Sequence, residues 1–563
     1  MCWLLLAARR HSAILLSLPA VAGTAFGGGI AQLGERLAGS QKVTGSSPVT
    51  STIPPVSAPR FLYPLVFLAG IGSMAAEMCA SRLLAPYYGS STVVWANIIG
   101  LILASLSLGY WIGGRVADRH PSPRLLAKLV LAAAAWVAAI PFVARPLLEL
   151  SVRGIETVST GTVVGSFIAS LALFAPPVVV LGMVTPFAIR LAATGVSDAG
   201  RVAGRVFALS TLGSLIGTFG PALITIPLIG TQRTLLLAAA ILALAASPLL
   251  GRSAALGLAG AALILGLFAI PPGVVKAVPG LIHEEESRYQ FIHVLQIGPE
   301  RWLSLNEGLA IHSLWRADTV LTGGEWDAFL TAPPLLGRPA AKVAILGNAG
   351  GTTARAFGVY YPDAQIDGVE LDPAVSEAGR RYFGLSENAK LTVYDADARP
   401  FLQASDERYD LIFIDAYRQP YVPFYLATQE FFRLCRERLT PGGVVVLNVS
   451  TVPGDDRLAQ AVAGTLATEF PQVMTWQALR FNQFVFGFAE PLSPAVVTDR
   501  LLTAPSDLLP LTRLLSRQIR SASPSQQPWT DDRAPVEWIT DRMIAAYAVG
   551  GTLDREKLLP TAP

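Results

Sequence analysis

Hydrophobic positions follow two rhythms along this chain. From Phe61 to Pro271 they form runs of roughly 17–25 residues, the length a helix needs to cross a hydrocarbon core about 30 Å thick. The runs fall at 62–83, 93–113, 125–144, 162–184, 206–229, 233–249 and 254–271, which predicts a multi-pass α-helical membrane domain of about seven spans over 61–275. Pro176 and Pro177 sit inside the fourth run and predict a kink. Gly213, Gly217 and Gly220 in the fifth predict close packing of helix against helix. From about Leu281 the runs shorten to strand length. HEEESRYQFIHVLQIGPERWLSLNEG reads as a strand, a turn at Gly298-Pro299 and a second strand, a small β unit over 281–325.

The next stretch organises the second half, 326–545. KVAILGNAGGTTARAF begins as a buried parallel strand, turns at Gly347, Gly350 and Gly351, and enters a helix at Thr352. IDGVELDP is a second apolar strand that ends in Glu370 and Asp372. Strand, glycine turn, helix, strand, acid is the order of a nucleoside-binding crossover unit in an α/β Rossmann-like domain. The spacing Gly-Asn-Ala-Gly-Gly is not the dinucleotide fingerprint, so a nucleoside fits better than a pyrophosphate. Two further strands also end in acids: LTVYDADARPF at Asp395 and Asp397, and YDLIFIDAYRQP at Asp415. Ligands of open α/β sheets bind at such carboxyl ends, although Asp is also common in ordinary turns. FYLATQEFFRLCRERLTPGGVVVLNVS adds an amphipathic helix, a Pro-Gly-Gly turn and a strand, and FNQFVFGFA a late antiparallel strand. PWTDDRAPVEW, with Asp531 and Asp532, is turn-rich, and 546–563 reads as a tail.

Composition sharpens this division. A chain of 563 residues with 52% hydrophobic and 15% charged residues is too apolar for a soluble protein. Positions 1–275 hold 17 Lys and Arg against 6 Asp and Glu, which leaves 26 and 34 for the remainder. The acidic second half argues against nucleic acid as a partner. Cys2, Cys79 and Cys435 lie too far apart in sequence to suggest a zinc site or a disulfide framework, and no metal is expected. Residues 1–60 have two readings. Met1 to Ala25 has the pattern of a secretory leader, followed by a Ser/Thr/Pro linker. The stretch GIAQLGERLAGSQKVTGSSPVTST instead looks like a translated transfer-RNA gene, which would start the protein near Val56 to Leu62.

Basic residues gather in alternate loops between the apolar runs. Arg115, Arg119, Arg124 and Lys128 flank one, Arg190, Arg201 and Arg205 another, and Arg252 marks a third; Arg145, Arg153 and Arg233 lie in the intervening set. The positive-inside rule places the richer set in the cytoplasm of a plasma-membrane protein. Seven spans would then put everything after Pro271 outside, whereas a cytosolic nucleoside calls for a cytoplasmic second half. The expectation is therefore a miscount within 233–271. Glu77, inside the first run, is a functional candidate or a structural partner of Arg82. GGRVADRHPSPR looks like the loop between the second and third helices of major-facilitator transporters.

The signals ESRYQFIHV, LSLNEG, LGNAGG, GVELDP, DADARPFL, YDLIFIDAY, TQEFF, LTPGG and TDDRAPVEW together resemble the spermidine synthase family of aminopropyltransferases, over about Leu281 to Trp538. The chain from Phe61 looks like bacterial proteins that fuse a membrane domain to such a synthase-like domain. The resemblance implies a class I methyltransferase-type sheet of seven strands. It also implies decarboxylated S-adenosylmethionine, or S-adenosylmethionine, as cosubstrate without a permanently bound cofactor, an amine or polyamine acceptor, and a possible homodimer. By position it implies that Gln290 helps hold the nucleoside in the glycine turn at Gly347, Glu370 binds the ribose hydroxyls, Asp397 with Ala398 meets the adenine, and Asp415 is catalytic. This sequence departs from the family at the acceptor side: Ala349 replaces an aspartate, Trp326 followed by Asp327 replaces a tyrosine, and Arg418 replaces a second aspartate. A guanidinium there repels a polyammonium. Three readings follow: a membrane-anchored aminopropyltransferase, a methyltransferase for an uncharged or anionic acceptor, and a non-catalytic nucleoside or polyamine sensor coupled to the helices.

Overall fold

The computed structural model describes residues 60–89, 92–153, 161–271, 273–308, 310–418 and 421–550. The readings for 1–59 and 551–563 lie outside them. The first half is a helical bundle: α1 (Leu62–Tyr88), α2 (Thr92–Arg119), α3 (Pro123–Arg153), α4 (Gly161–Leu173), α5 (Ala175–Gly182), α6 (Val184–Ala192), α7 (Val196–Gly220), α8 (Ile226–Ala246) and α9 (Ala254–Gly266). The run around Pro176 and Pro177 is broken on either side of α5, at Phe174 and Met183, so α4 to α6 form one bent passage.

Five stretches are long and apolar enough to cross a membrane, and the last of them, Val196–Ala269, is 74 residues. As one straight helix it would reach about 110 Å, more than three hydrocarbon thicknesses. It folds back instead. Gly230 (φ 79°, ψ 166°) and Gly251 (φ 63°, ψ −120°) both leave helical geometry. Gly251 lies beside the Arg124 guanidinium at one end of the bundle. At the other end the Gln232 amide donates to the Gly273 carbonyl at 3.3 Å, and Leu236 and Leu267 line one cavity. The stretch therefore makes three passes, and the described residues make seven. The miscount expected in 233–271 does not hold, because the turn at Gly251 is a true reversal.

Close backbone approach holds α1 to α7. A Cβ added to Gly213 would lie 2.1 Å from the Phe67 carbonyl oxygen, and one added to Gly217 would lie 2.4 Å from that of Ile71. In a bilayer, where apolar side chains gain little by leaving lipid, such contact between backbones is a main source of association. Gly220, expected to share this role, meets no heavy atom within 4 Å of its Cβ position.

The second half opens with a four-stranded antiparallel sheet in sequence order: β1 (Leu281–Glu286), β2 (Phe291–Ile297), β3 (Glu300–Leu305) and β4 (Ile311–Arg316). The expected strand–turn–strand is the β2–β3 hairpin, and β1 and β4 add to its edges. Ile292, Val294, Leu303 and Leu305 of this sheet pack on Val375, Ala378 and Phe383 of the larger domain. That larger domain is an α/β sheet of β5 (Lys342–Leu346), β6 (Gln365–Glu370), β7 (Leu391–Asp395), β8 (Tyr409–Ile414), β9 (Leu439–Ser450), β10 (Gln472–Leu479), β11 (Asn482–Phe488) and β12 (Arg520–Ser521). Their order is β12-β10-β11-β9-β8-β5-β6-β7. β7, β6, β5, β8 and β9 run parallel, and β11 and β10 turn antiparallel. The eighth strand beyond the expected seven is the two-residue β12. The expected Pro-Gly-Gly turn is absorbed into β9 as a register shift, with Gly442 at φ 70°. Strand order reverses between β5 and β8, the switch point where parallel sheets open a crevice.

Gly213→Ala should cost about 1–3 kcal/mol of bundle stability by forcing α1 and α7 apart. Gly220→Ala should leave stability unchanged. Thermal unfolding of the detergent-purified full chain measures both, and equal effects at the two sites would remove the packing argument.

Candidate active site

The crevice at the carboxyl ends of β5, β6, β7 and β8 is built from backbone outward. After Leu346 the chain turns at Gly347, whose φ of 91° few side-chain-bearing residues adopt. A Cβ there would lie 2.5 Å from the Asp415 carbonyl oxygen. The Gly347 and Asn348 amides both donate to the Val369 carbonyl at 2.9 Å, which ties the turn to the end of β6. Ala349 takes a left-handed conformation, φ 45°, and the Ser313 hydroxyl of β4 accepts from the Gly350 amide at 2.8 Å. The small sheet thus closes over the glycine turn.

Glu370 ends β6. Its Oε2 accepts from the Ala349 amide at 3.0 Å and its Oε1 from the Asp372 amide at 3.1 Å. The Leu371 amide also donates to this carboxylate. Burial, opposed by these amide bonds, pushes its pKa up to about 7. Asp372 caps the helix that follows by accepting from Ala374 at 3.1 Å, and it also accepts from Ser287 and Gln290, which brings Gln290 to this strand end.

Asp395, paired in register with Glu370, accepts from Ser376 at 2.7 Å. Asp397 caps the helix that begins at the buried Ala398; one of its oxygens accepts from the Arg399 amide at 3.1 Å and the other from the Tyr425 hydroxyl at 2.9 Å. Asp415 follows β8. Its amide donates to Leu346 at 2.8 Å, and its Oδ1 accepts from the Asn448 amide group at 3.0 Å. Burial pushes its pKa up to about 7, with the Asn448 bond working in the opposite direction.

The acceptor-side residues are placed differently. Trp326 is buried. The Asp327 carboxylate is occupied by its own loop: it accepts from the Thr322 amide at 3.1 and 3.0 Å, the Thr322 hydroxyl at 3.0 Å and the Gly323 amide at 2.8 Å. Arg418 is exposed, its backbone paired with Tyr421, and its charge acts on Tyr425. Among the described residues no cluster of three or more metal-ligating side chains occurs.

Residues 329–479 match the protein family described as the spermine/spermidine synthase domain. This part of the chain is similar to spermidine synthase domains. The "Probable polyamine aminopropyl transferase" of Bifidobacterium longum is 36% identical over 191 residues, 34% of this chain and 42% of that one. The polyamine aminopropyltransferase of Vibrio vulnificus is 31% identical over 175 residues, 30% of this chain and 58% of that one. The chain thus spans about half the length of these curated relatives. A mouse eEF1A lysine and N-terminal methyltransferase is 26% identical over 215 residues, 36% of this chain and 29% of that one. Among solved structures, a probable spermidine synthase from Corynebacterium glutamicum aligns at 18% identity over 46% of this chain and 100% of its own, with a TM-score of 0.36.

Two groups in the α/β domain escaped the sequence reading. Glu325, beside Trp326, has its pKa pushed up to about 8, first by burial and then by the Asp415 charge. It opens a helix of five residues, Glu325–Phe329, too short to read from periodicity. Asn448 lies within β9, in VVVLNVS, and the strand-end logic that found the acids would have found it had amides been counted.

The acids of this crevice set a sign for stability against pH. Glu370, Asp415 and Glu325 bind protons more tightly folded than unfolded. Their stabilising contribution is full below the ordinary carboxyl range, about pH 4, and is lost as pH rises through about 7 to 8. The thermal midpoint of the ligand-free protein should fall between pH 5 and 8, and Asp415→Asn should reduce that slope; a slope unchanged by the substitution would contradict the burial of Asp415.

Proposed function

We propose that the domain binds a sulfonium nucleoside and transfers its aminopropyl group to an amine, while the helical half spans a membrane. The observation that carries this reading is the Glu370 carboxylate, oriented by two backbone amides on the strand next to the one that leads into the Gly347 turn against Asp415. In this reading Glu370 accepts both ribose hydroxyls, Gln290 steadies the sulfur side through the Asp372 network, and Asp397 with Ala398 meets the adenine edge. Gly347 lets the backbone pass close beneath the nucleoside. Adenine and ribose, which do not react, supply the binding energy that fixes the reacting carbon.

The reaction is a displacement. The acceptor nitrogen attacks the aminopropyl carbon bound to sulfur, the carbon–sulfur bond breaks, and methylthioadenosine leaves with the electron pair. The attacking amine must be neutral, and Asp415, whose pKa lies near 7, takes its proton. Trp326 forms a wall of the acceptor side. Glu325 supplies a second acid close enough to Asp415 for their charges to interact.

A second reading has a specific observation in its favour. Asp327 is saturated by its own loop, Ala349 carries no carboxylate, and Arg418 is exposed and cationic. These features suit a donor or acceptor with a carboxylate, as in methyl transfer from S-adenosylmethionine.

The full chain, purified and supplied with decarboxylated S-adenosylmethionine and a panel of diamines, should release methylthioadenosine detectable by mass spectrometry. Asp415→Asn should lower kcat by about 10²–10⁴ while leaving nucleoside affinity intact. Glu370→Gln should weaken the nucleoside instead, and wild-type kcat/KM should rise with pH to a plateau above about 7. Preference for S-adenosylmethionine in calorimetry, with no methylthioadenosine formed, would overturn the first reading in favour of the second.

A further inference from the structure

We infer that the helices hold the synthase domain on the non-cytoplasmic side of the membrane, so its crevice draws nucleoside and amine from that compartment. The inference rests on the membrane-spanning reading and not on the transfer chemistry. It follows from where the two ends of the bundle lie. The Asp118–Arg190 ion pair, 3.4 Å, joins the end of α2 to the end of α6. Gly251 lies beside Arg124, and the Arg205 guanidinium sits 5.4 Å from the Tyr63 ring centre. All the loops of the richer basic set, from Arg115 to Arg252, therefore meet at one end.

The synthase domain is fastened to the other end. The Arg82 guanidinium donates to the Ser287 carbonyl at 3.2 Å, and the Tyr87 hydroxyl to that of Val275 at 2.7 Å. Lys276 Nζ donates to the carbonyl of Pro86 at 2.6 Å. The Thr231 hydroxyl and amide both donate to the Glu286 carboxylate, at 2.5 and 3.2 Å. These contacts join β1, the turn after it and the segment before it to the ends of α1 and α8, so the domain is fastened away from the basic end.

Basic loops resist transfer across a membrane that is negative inside, whereas a long acidic domain is exported largely regardless of its charge. The basic end carries eight Lys and Arg in the named loops, against Arg82, Arg145, Arg153, Arg233 and Lys276 at the synthase end. Seven passes then leave the two ends of the bundle on opposite sides. The cytoplasmic placement expected from a cytosolic nucleoside gives way to this geometry. If the domain is a transferase, an export step or an external reaction must supply its sulfonium donor.

The full chain expressed in bacteria tests this with a membrane-impermeant maleimide. Asp363→Cys lies on the exposed surface of the synthase domain, and Ser197→Cys in an exposed turn at the basic end. Both variants carry Cys2→Ser, since Cys2 lies outside the described residues, and the buried Cys79 and Cys435 set the background. In intact cells we expect Asp363→Cys to be labelled and Ser197→Cys to react only after lysis. Labelling of Ser197→Cys in intact cells, or protection of Asp363→Cys until lysis, overturns the assignment. Release of the chain by alkaline carbonate would remove the spanning reading itself, and the assignment with it, while leaving the transfer chemistry open.

Discussion

The site depends on how closely two strand ends approach. β5 and β8 are hydrogen-bonded neighbours, and the chain leaving β8 passes so near Gly347 that even a methyl group there would collide with the Asp415 carbonyl. That approach fixes where Asp415 emerges. It also brings the amides after Gly347 to the end of β6, where the Val369 carbonyl and Glu370 carboxylate receive them. One left-handed glycine therefore sets the relative positions of both acids.

Burial does the rest of the electrostatic work. Glu370 ends β6, Asp415 follows β8 with Glu325 near enough to feel its charge, and each is raised towards neutrality chiefly by loss of water. Carboxyls poised near pH 7 can change protonation state at little cost, a property suited to taking a proton from an attacking amine. Asp327 and Asp372 serve instead as a loop clasp and a helix cap.

The helical half is more than a tether. Contacts from α1 and the start of α8 to β1, the turn after it and the preceding segment hold the small sheet, and that sheet closes over the glycine turn through Ser313. A continuous set of hydrogen bonds therefore runs from the end of α1 through Ser287 and Asp372 to the strand ends.

Local pattern determined a great deal: the apolar runs, the switch to short strands at Leu281, the strand–glycine–helix–strand order, and the acids at 370, 397 and 415. Each depends on residues adjacent in sequence, so periodicity and turn chemistry reveal it. Tertiary structure decided what depends on partners far along the chain. It showed that Gly251 reverses the chain, that Gly213 and Gly217 but not Gly220 meet a facing backbone, that Asp327 is consumed by its own loop, and that Glu325 shares the crevice with Asp415. A glycine or a carboxylate has the same intrinsic chemistry wherever it stands. Which backbone it touches, how much water it loses and which donors reach it first are set only when distant segments pack.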